Sequence, residues 1–510
     1  MKMKRLAALL LLCPLILTAC APREASVLPA ATLPPVSEDI VAPVGDAALS
    51  HTRTVALYLP SRDGQRLVCE YETLTLNRGR HPAEAVARAL MEHPGSDAAA
   101  PLGRSVTLRL SASDPIELSG GVCTVNLTPS ALQLDHDDLY AACLCLTATL
   151  CELKDIRSVN VLVAGQAVGL DVADRLPLGS LAPHIGAELP ILWSQMAARR
   201  APVGSDPADA PLTAAATLYY PLQDHSGLIP EVRTLSFPGQ LPAQLIEALL
   251  TALSAPSRQG DAVALPRLTE LLSAPPVLTD LDTGGRMATL RFQPALEEAL
   301  QAADIDLFGF AASVTCTLTT FIPSLASVQL AIGEQPLTSI QSQAMGNQLF
   351  PGGVTRRADF ASAIQAQATI YLPQGDRLAA VTRRLPDDDA YHPRTLLGAL
   401  LAGPTADEQA AGLSPLLPGG LSDADILGIA VDGDTLLVNF SARAAERIRE
   451  SDLDQHLMCR GLVGALCELM GTPRVRFFFG GDAVEGLNGP VFWGGEFLYN
   501  PSLTNLSGDD

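Results

Sequence analysis

Charge and aromaticity are both scarce in this chain of 510 residues, at 17% and 5% of positions. Basic side chains are the scarcer sign, with 34 Lys and Arg against 55 Asp and Glu, a net charge of −21 and a pI near 4.7. Nucleic-acid phosphates need a basic footprint, so nucleic acid is excluded as a partner. Long apolar runs are also lacking: only the extreme N-terminus approaches membrane-spanning length. No Cys-x-x-Cys pair occurs, and the eight histidines are scattered without metal-ligand spacing, so a zinc or dithiol motif is absent. Neither is there a Ser-His-Asp order, a phosphate loop or an HExxH run. No catalytic, cofactor-binding or metal-binding residue is therefore expected, and the chain does not read as an enzyme. Hydrophobic residues at 48% rule out a disordered chain and a coiled coil. The length asks for two to four domains.

The N-terminus carries an address. Lys2, Lys4 and Arg5 precede an apolar run from Leu6 to Leu17. A run of about a dozen residues is too short to span a bilayer but suits the h-region of a signal peptide. It closes on Leu17-Thr18-Ala19-Cys20, which resembles the lipobox of bacterial lipoproteins. That resemblance implies a signal peptide at 1–19 and a lipidated Cys20 as the mature N-terminus. It places the protein on the extracytoplasmic face of the cell membrane, held there by its lipid. Residues 20–50 hold Pro22, Pro29, Pro34, Pro35 and Pro43 without helical or strand period, and read as a semi-rigid tether. An acidic body stands off from anionic lipid headgroups.

Beyond Cys13 and Cys20, eight cysteines remain, and they read as small buried hydrophobes. Cys69 and Cys123 both fall in expected strands; whether they bond is open from sequence.

An internal repeat organises the rest. Three apolar strands end in Tyr58-Leu59-Pro60, Tyr219-Tyr220-Pro221 and Tyr371-Leu372-Pro373. Each leads through a polar turn to a second strand, at Leu67–Leu76, Ile229–Phe237 and Leu378–Leu385. A proline-led apolar helix follows, opened by His81-Pro82, Pro242 and His392-Pro393. Proline suits a first helical turn because its missing N–H has no partner there. Later tetrads, Val125-Asn126-Leu127-Thr128, Leu290-Arg291-Phe292-Gln293 and Val438-Asn439-Phe440-Ser441, alternate as strands with one buried face. Long helices come next, Cys143, Leu146, Leu150 and Cys151 matching Cys459, Leu462, Leu466 and Cys467. Strands closing on Gly165, Gly333 and Gly480 end each copy.

The expected class is α+β: three tandem β-β-α-β-β-α-β modules at 51–198, 212–340 and 366–510, each a mostly antiparallel sheet under two helices and each with its own core. Ala201–Pro211 and Ser339–Ala366 are expected as separators. The tail holds Phe492-Trp493-Gly494-Gly495 and Phe497-Leu498-Tyr499, read as a strand capping the third module or as an exposed aromatic contact for a partner.

The order of these elements resembles the GerMN domain of sporulation and spore germination proteins. The third copy is most similar, with Leu400-Leu401-Ala402-Gly403-Pro404 ending its first helix; the first copy, with Glu92-His93-Pro94 there, is the most divergent. The resemblance implies a fold like the ring-building modules of secretion-like channels and a non-catalytic, membrane-tethered role in spore envelope assembly or germination. Partners are then other envelope proteins, including copies of the chain itself. The alternative is a lipoprotein that binds or senses a solute or cell-wall fragment in an inter-module cleft. Asp135-His136-Asp137-Asp138 reads as helix-start chemistry, since acidic groups favour that end of the dipole. Asp387-Asp388-Asp389 reads as a solvated loop, and His81 and His392 as helix-entry residues. Gly284-Gly285 and Gly352-Gly353 read as turn glycines.

Overall fold

A computed structural model of the chain describes residues 40–500 and 502, apart from 48, 78–79, 104–105, 171–175, 283, 343–345, 365 and 386–390. The signal segment, Cys20, most of the expected tether and the Asp387–Asp389 loop lie outside these residues.

Alternating apolar residues begin the first segment. Ser50–Pro60 (β1) and Leu67–Asn77 (β2) pair antiparallel as a two-stranded sheet, with Leu57 and Leu59 fully buried. Helix Ala83–Glu92 (α1) follows, burying Val86, Ala87 and Leu90 at helical spacing. Strands Ile116–Ser119 (β3), Val122–Leu127 (β4), Ser158–Val163 (β5) and Gln166–Ala167 (β6) form a second sheet in that order. Helix His136–Leu150 (α2) crosses from β4 to β5, and Leu189–Ala197 (α3) ends the segment.

The second segment holds the hairpin Leu212–Pro221 (β7) and Leu228–Phe237 (β8), then helices Pro242–Leu253 (α4) and Leu268–Leu271 (α5). Strands Val277–Asp280 (β9) and Arg286–Phe292 (β10), helices Ala295–Ala302 (α6) and Leu307–Phe321 (α7), and strands Leu325–Ile332 (β11) and Gln335–Pro336 (β12) complete its larger sheet. A further hairpin joins Ser339–Ser342 (β13) to Gly346–Leu349 (β14), and Val354–Thr355 (β15) pairs with β11.

The third segment has the hairpin Gln367–Gln374 (β16) and Arg377–Arg384 (β17), helices Pro393–Ala402 (α8) and Ala406–Ala410 (α9), and a sheet ordered Ile426–Asp432 (β18), Thr435–Phe440 (β19), Arg474–Phe479 (β20) and Glu496–Leu498 (β21). Helices Ala442–Glu450 (α10) and Gln455–Met470 (α11) lie between β19 and β20.

The α+β class holds, but four details differ from the sequence reading. First, the first and third segments carry two sheets each and the second carries three, and the largest in each has a parallel pair at its centre: β4–β5, β10–β11 and β19–β20. A long helix between adjacent strands returns the chain to the same end of the sheet, which makes the pair parallel. Of these strands β5 and β19 are buried on both faces along their whole length, whereas β10 alternates, with Arg291 exposed.

Second, the first two segments share one apolar core running from Val55 to Ile364, whereas the third has a core of its own. Third, residues 339–364 are no separator. Ile340, Phe350, Phe360 and Ile364 are buried in the second segment, where Phe360 meets Phe308 and Phe350 ring to ring. Fourth, the expected tether does not reach residue 50. Pro43–Ala47 lies on the third segment, and Leu49 is in its core. Cys69 and Cys123 are both free thiols.

Candidate functional sites

Three joints between segments, and a groove under the tail, are places among the described residues where this fold could meet a ligand or partner. The joint of the first two segments is closed by a buried polar cluster. Asn160 on β5, Ser180 after β6 and Thr217 on β7 are buried and bonded to one another at 2.6–3.1 Å. Gly179, at φ +73°, brings the chain so close to Ala215 that a Cβ would lie 2.4 Å from its carbonyl oxygen. Nearby, Arg357 donates to both Glu117 oxygens at 2.7 and 2.6 Å, to Tyr219 Oη at 2.8 Å and to Thr320 Oγ1 at 2.6 Å. Its guanidinium also stacks 4.9 Å from the Tyr219 ring centre. Burial draws the Arg357 pKa down, but the Glu117 carboxylate and Tyr219 reverse that and hold it above the ordinary arginine value. This is a charged clamp fastening three distant stretches. A pocket of about 280 Å³ opens beside it, past Asn126 and Arg356.

The third segment meets the others through polar contacts. Arg384 reaches Asp224 at 3.2 Å and Asp261 at 3.4 Å on the second segment. Toward the first segment a cleft of about 460 Å³ opens, floored by Leu76, Leu153 and Met470. Arg53, Arg80 and Lys154 enter it alongside Asp155, Asp434 and Glu468. Lys154 and Glu468 approach to 3.7 Å across it, and the rings of His81 and Tyr391 to 4.9 Å. Both signs of charge beside an apolar floor suit a polar or zwitterionic molecule over a polyanion.

His81 stands at the edge of this cleft. Its Nδ1 accepts from Ala83 N at 3.1 Å, and His392 Nδ1 accepts from Arg394 N at 3.2 Å in the same role. Helix entry is thus what the recurring His-Pro does. Burial, helped by the charge of Arg53, pushes the His81 pKa down to about 4, so the ring is neutral near pH 7. Asp135 caps α2 by accepting from Asp138 N at 2.8 Å, which accounts for that acidic run. Gly284, Gly285, Gly352 and Gly353 all have positive φ and are turn residues.

The tail forms a strand. β21 pairs antiparallel with β20, Trp493 is fully buried, and its Nε1 donates to Gln455 Oε1 at 3.0 Å. Between the tail and α11 lies a groove of about 330 Å³, lined by Val463, Phe492, Phe497 and Leu498. Phe492 and Leu498 are exposed there, so the tail caps a sheet and also shows an apolar edge.

Burial raises the thiol pKa of Cys143, Cys316, Cys459 and Cys467 to about 12 and that of Cys151 to about 11. Among the described residues no group of three or more His, Cys, Asp or Glu could hold a metal ion, and no helix is long and apolar enough to cross a membrane. Sequence reading missed the cleft and the clamp because their members come from stretches up to hundreds of positions apart. The recurring His81-Pro82 and His392-Pro393 were the signal nearest to the cleft.

No curated protein matches the chain. Among solved structures, the tandem GerMN domains of the sporulation protein GerM from Bacillus subtilis are similar at 18% identity, covering 56% of this chain and 92% of that one, with a TM-score of 0.21. A putative lipoprotein from Clostridium perfringens is similar at 18% identity over 26% of this chain and 87% of its own, with a TM-score of 0.17. The first GerMN domain of GerM alone gives 16% identity, 27% and 96% coverage, and a TM-score of 0.19. Two regions of the chain, residues 56–169 and 369–485, match the Germane family, described as sporulation and spore germination, and they fall on the first and third segments.

Proposed function

We propose that this chain is a non-catalytic scaffold of sporulation or spore germination, built from three copies of one Germane-like module and anchored to the membrane through lipid on Cys20. The reading rests chiefly on a shared hydrogen-bond register. Ahead of the parallel pair, the first residue after the tetrad strand bonds back in the same way each time: Thr128 N to Arg109 O, Gln293 N to Leu271 O and Ser441 N to Asp425 O. After the parallel pair, Ala164 N, Gly333 N and Gly480 N bond to Leu127 O, Phe292 O and Phe440 O. The middle segment, which lies outside both family matches, keeps both bonds although Arg291 stands where the others have Asn126 and Asn439. Tyr58 N and Tyr219 N likewise both bond to a threonine hydroxyl of the long helix, Thr149 and Thr317.

Protonated buried thiols, a charged clamp without a reacting centre and an exposed apolar edge support a role in assembly over one in chemistry. The envelope proteins it meets, including further copies of itself, would use these surfaces. Loss of the coding sequence should lower the yield of heat-resistant spores or their germination. Normal yield and normal germination would contradict the link. Cys20→Ser should abolish labelling by a clickable fatty acid; labelling equal to wild type would refute the anchor.

The cleft of about 460 Å³ between the first and third segments favours a second reading, capture of a solute or cell-wall fragment. A ligand at a hundredfold over its Kd would stabilise the protein by about 2.7 kcal/mol. No melting shift across amino acids, sugars and peptidoglycan fragments would dismiss it.

A further inference from the structure

The stretch Pro43–Ala47 is seated on the edge of the third segment's sheet. Gly45 N donates to Leu427 O at 2.8 Å and Ala47 N to Ile429 O at 2.9 Å, so the two backbones advance together along the edge of β18. Asp46 holds Arg394 through two bonds of 2.6 and 2.7 Å. Gly428 makes room: a Cβ there would lie 2.6 Å from the carbonyl oxygens of both Pro43 and Gly45. Leu49, 4% exposed, closes the seat, and the next residue already opens β1 of the first segment.

The seat fills a gap that the first segment does not have. There, Asn126 Oδ1 accepts from Gly165 N at 2.8 Å, and its amide donates to Ser113 O, on the loop before β3, at 3.3 Å. In the third segment, Asn439 Oδ1 accepts from Gly481 N at 3.1 Å in the same way. Opposite Asn439, β18 passes from Ile426 to Gly428 through a bulge. The Asn439 amide instead donates to Pro43 O at 2.9 Å, a residue near the opposite end of the chain. Without that stretch a buried amide, 1% exposed as a residue, loses its acceptor.

Filling the seat in cis requires the first and third segments to adjoin, because hardly any chain separates Leu49 from β1. Yet that joint is a polar cleft, and the third segment keeps a separate core. Polar interfaces of this kind are those at which domains part. When they part, seat and stretch lose each other together.

We propose that the seat formed by Arg394, Gly428 and Asn439 binds residues 43–47 of a second copy of this chain, so that exchange of this stretch links copies through their third and first segments. This deepens the assembly reading and rests on it. Mutual exchange gives a closed dimer; one-way exchange gives an open string. At low concentration the stretch of the same chain fills the seat, since a tethered segment has a high effective concentration.

Two full-chain variants separate donor from acceptor. Gly428→Val blocks the seat and frees the stretch; Asp46→Arg repels the stretch from Arg394 and leaves the seat open. By sedimentation velocity, their equimolar mixture should form a one-to-one dimer at least about tenfold more tightly than either variant alone. A mixture that associates no better than its components overturns the proposal. Should Gly428→Val not fold, Asp46→Arg and Arg394→Asp serve as the pair. They should associate when mixed, and the double variant should return to monomer; association of the double variant equal to the mixture would count against exchange. Wild-type assembly that persists undiminished in the Gly428→Val/Asp46→Arg double variant would refute exchange and leave the scaffold reading standing.

Discussion

At the scale of single residues, burial decides protonation. His81 is neutral in the folded chain, with a pKa of about 4 against 6.5 for a free histidine. Between these values the unfolded chain binds a proton that the folded one refuses, so stability falls as pH drops from 6.5 toward 4. The whole shift corresponds to up to about 3 kcal/mol. His81→Gln should flatten the difference in stability between pH 7 and pH 4.5 by a sizeable part of that amount, read from urea midpoints. An unchanged pH dependence would mean that His81 is protonated in the folded state. Arg357 poses the opposite case, a buried charge kept by its partners. Arg357→Met leaves Glu117 buried without its cation and should cost about 3–5 kcal/mol, whereas adding Glu117→Leu should recover much of it. A double-mutant cycle with no coupling would show that the clamp is not formed.

At the scale of elements, much was legible because local rules and burial agree. Pro242 and Pro393 do open helices, and Asp135 caps α2; Asp135→Ala should cost about 1 kcal/mol of stability, and no loss in the thermal midpoint would contradict the cap. The alternating tetrads do form strands, although Val438-Asn439-Phe440 is buried on both faces, not one. What stayed hidden depends on distant partners. Nothing local says that β4 and β5 run parallel, since α2 alone imposes it. Residues 339–364 looked polar because Ile340, Phe350 and Phe360 are widely spaced; only the core shared by the first two segments explains them. Pro43 and Asp46 resemble tether residues until Asn439 and Arg394 are beside them. The cleft, assembled from both ends of the chain, had no sequence signature beyond the recurring His-Pro.

At the scale of the whole molecule, two cores imply two melting units. The first spans both leading segments and is tied by the Arg357 clamp; the second lies behind a polar joint. The chain's two tryptophans fall one in each, Trp193 on α3 and Trp493 in the third core. In a Trp193→Phe variant, Trp493 emission should change at a denaturant concentration distinct from the main circular-dichroism transition. Coincident single transitions would show that the cores unfold as one. Separable units of this kind suit a protein whose surfaces work by engaging neighbours. The most direct test of that central claim is the size of the native particle. Full-length protein should be recovered from its own cell membranes in complexes larger than a monomer, by affinity capture followed by analytical ultracentrifugation. A strict monomer with no captured partner would contradict it.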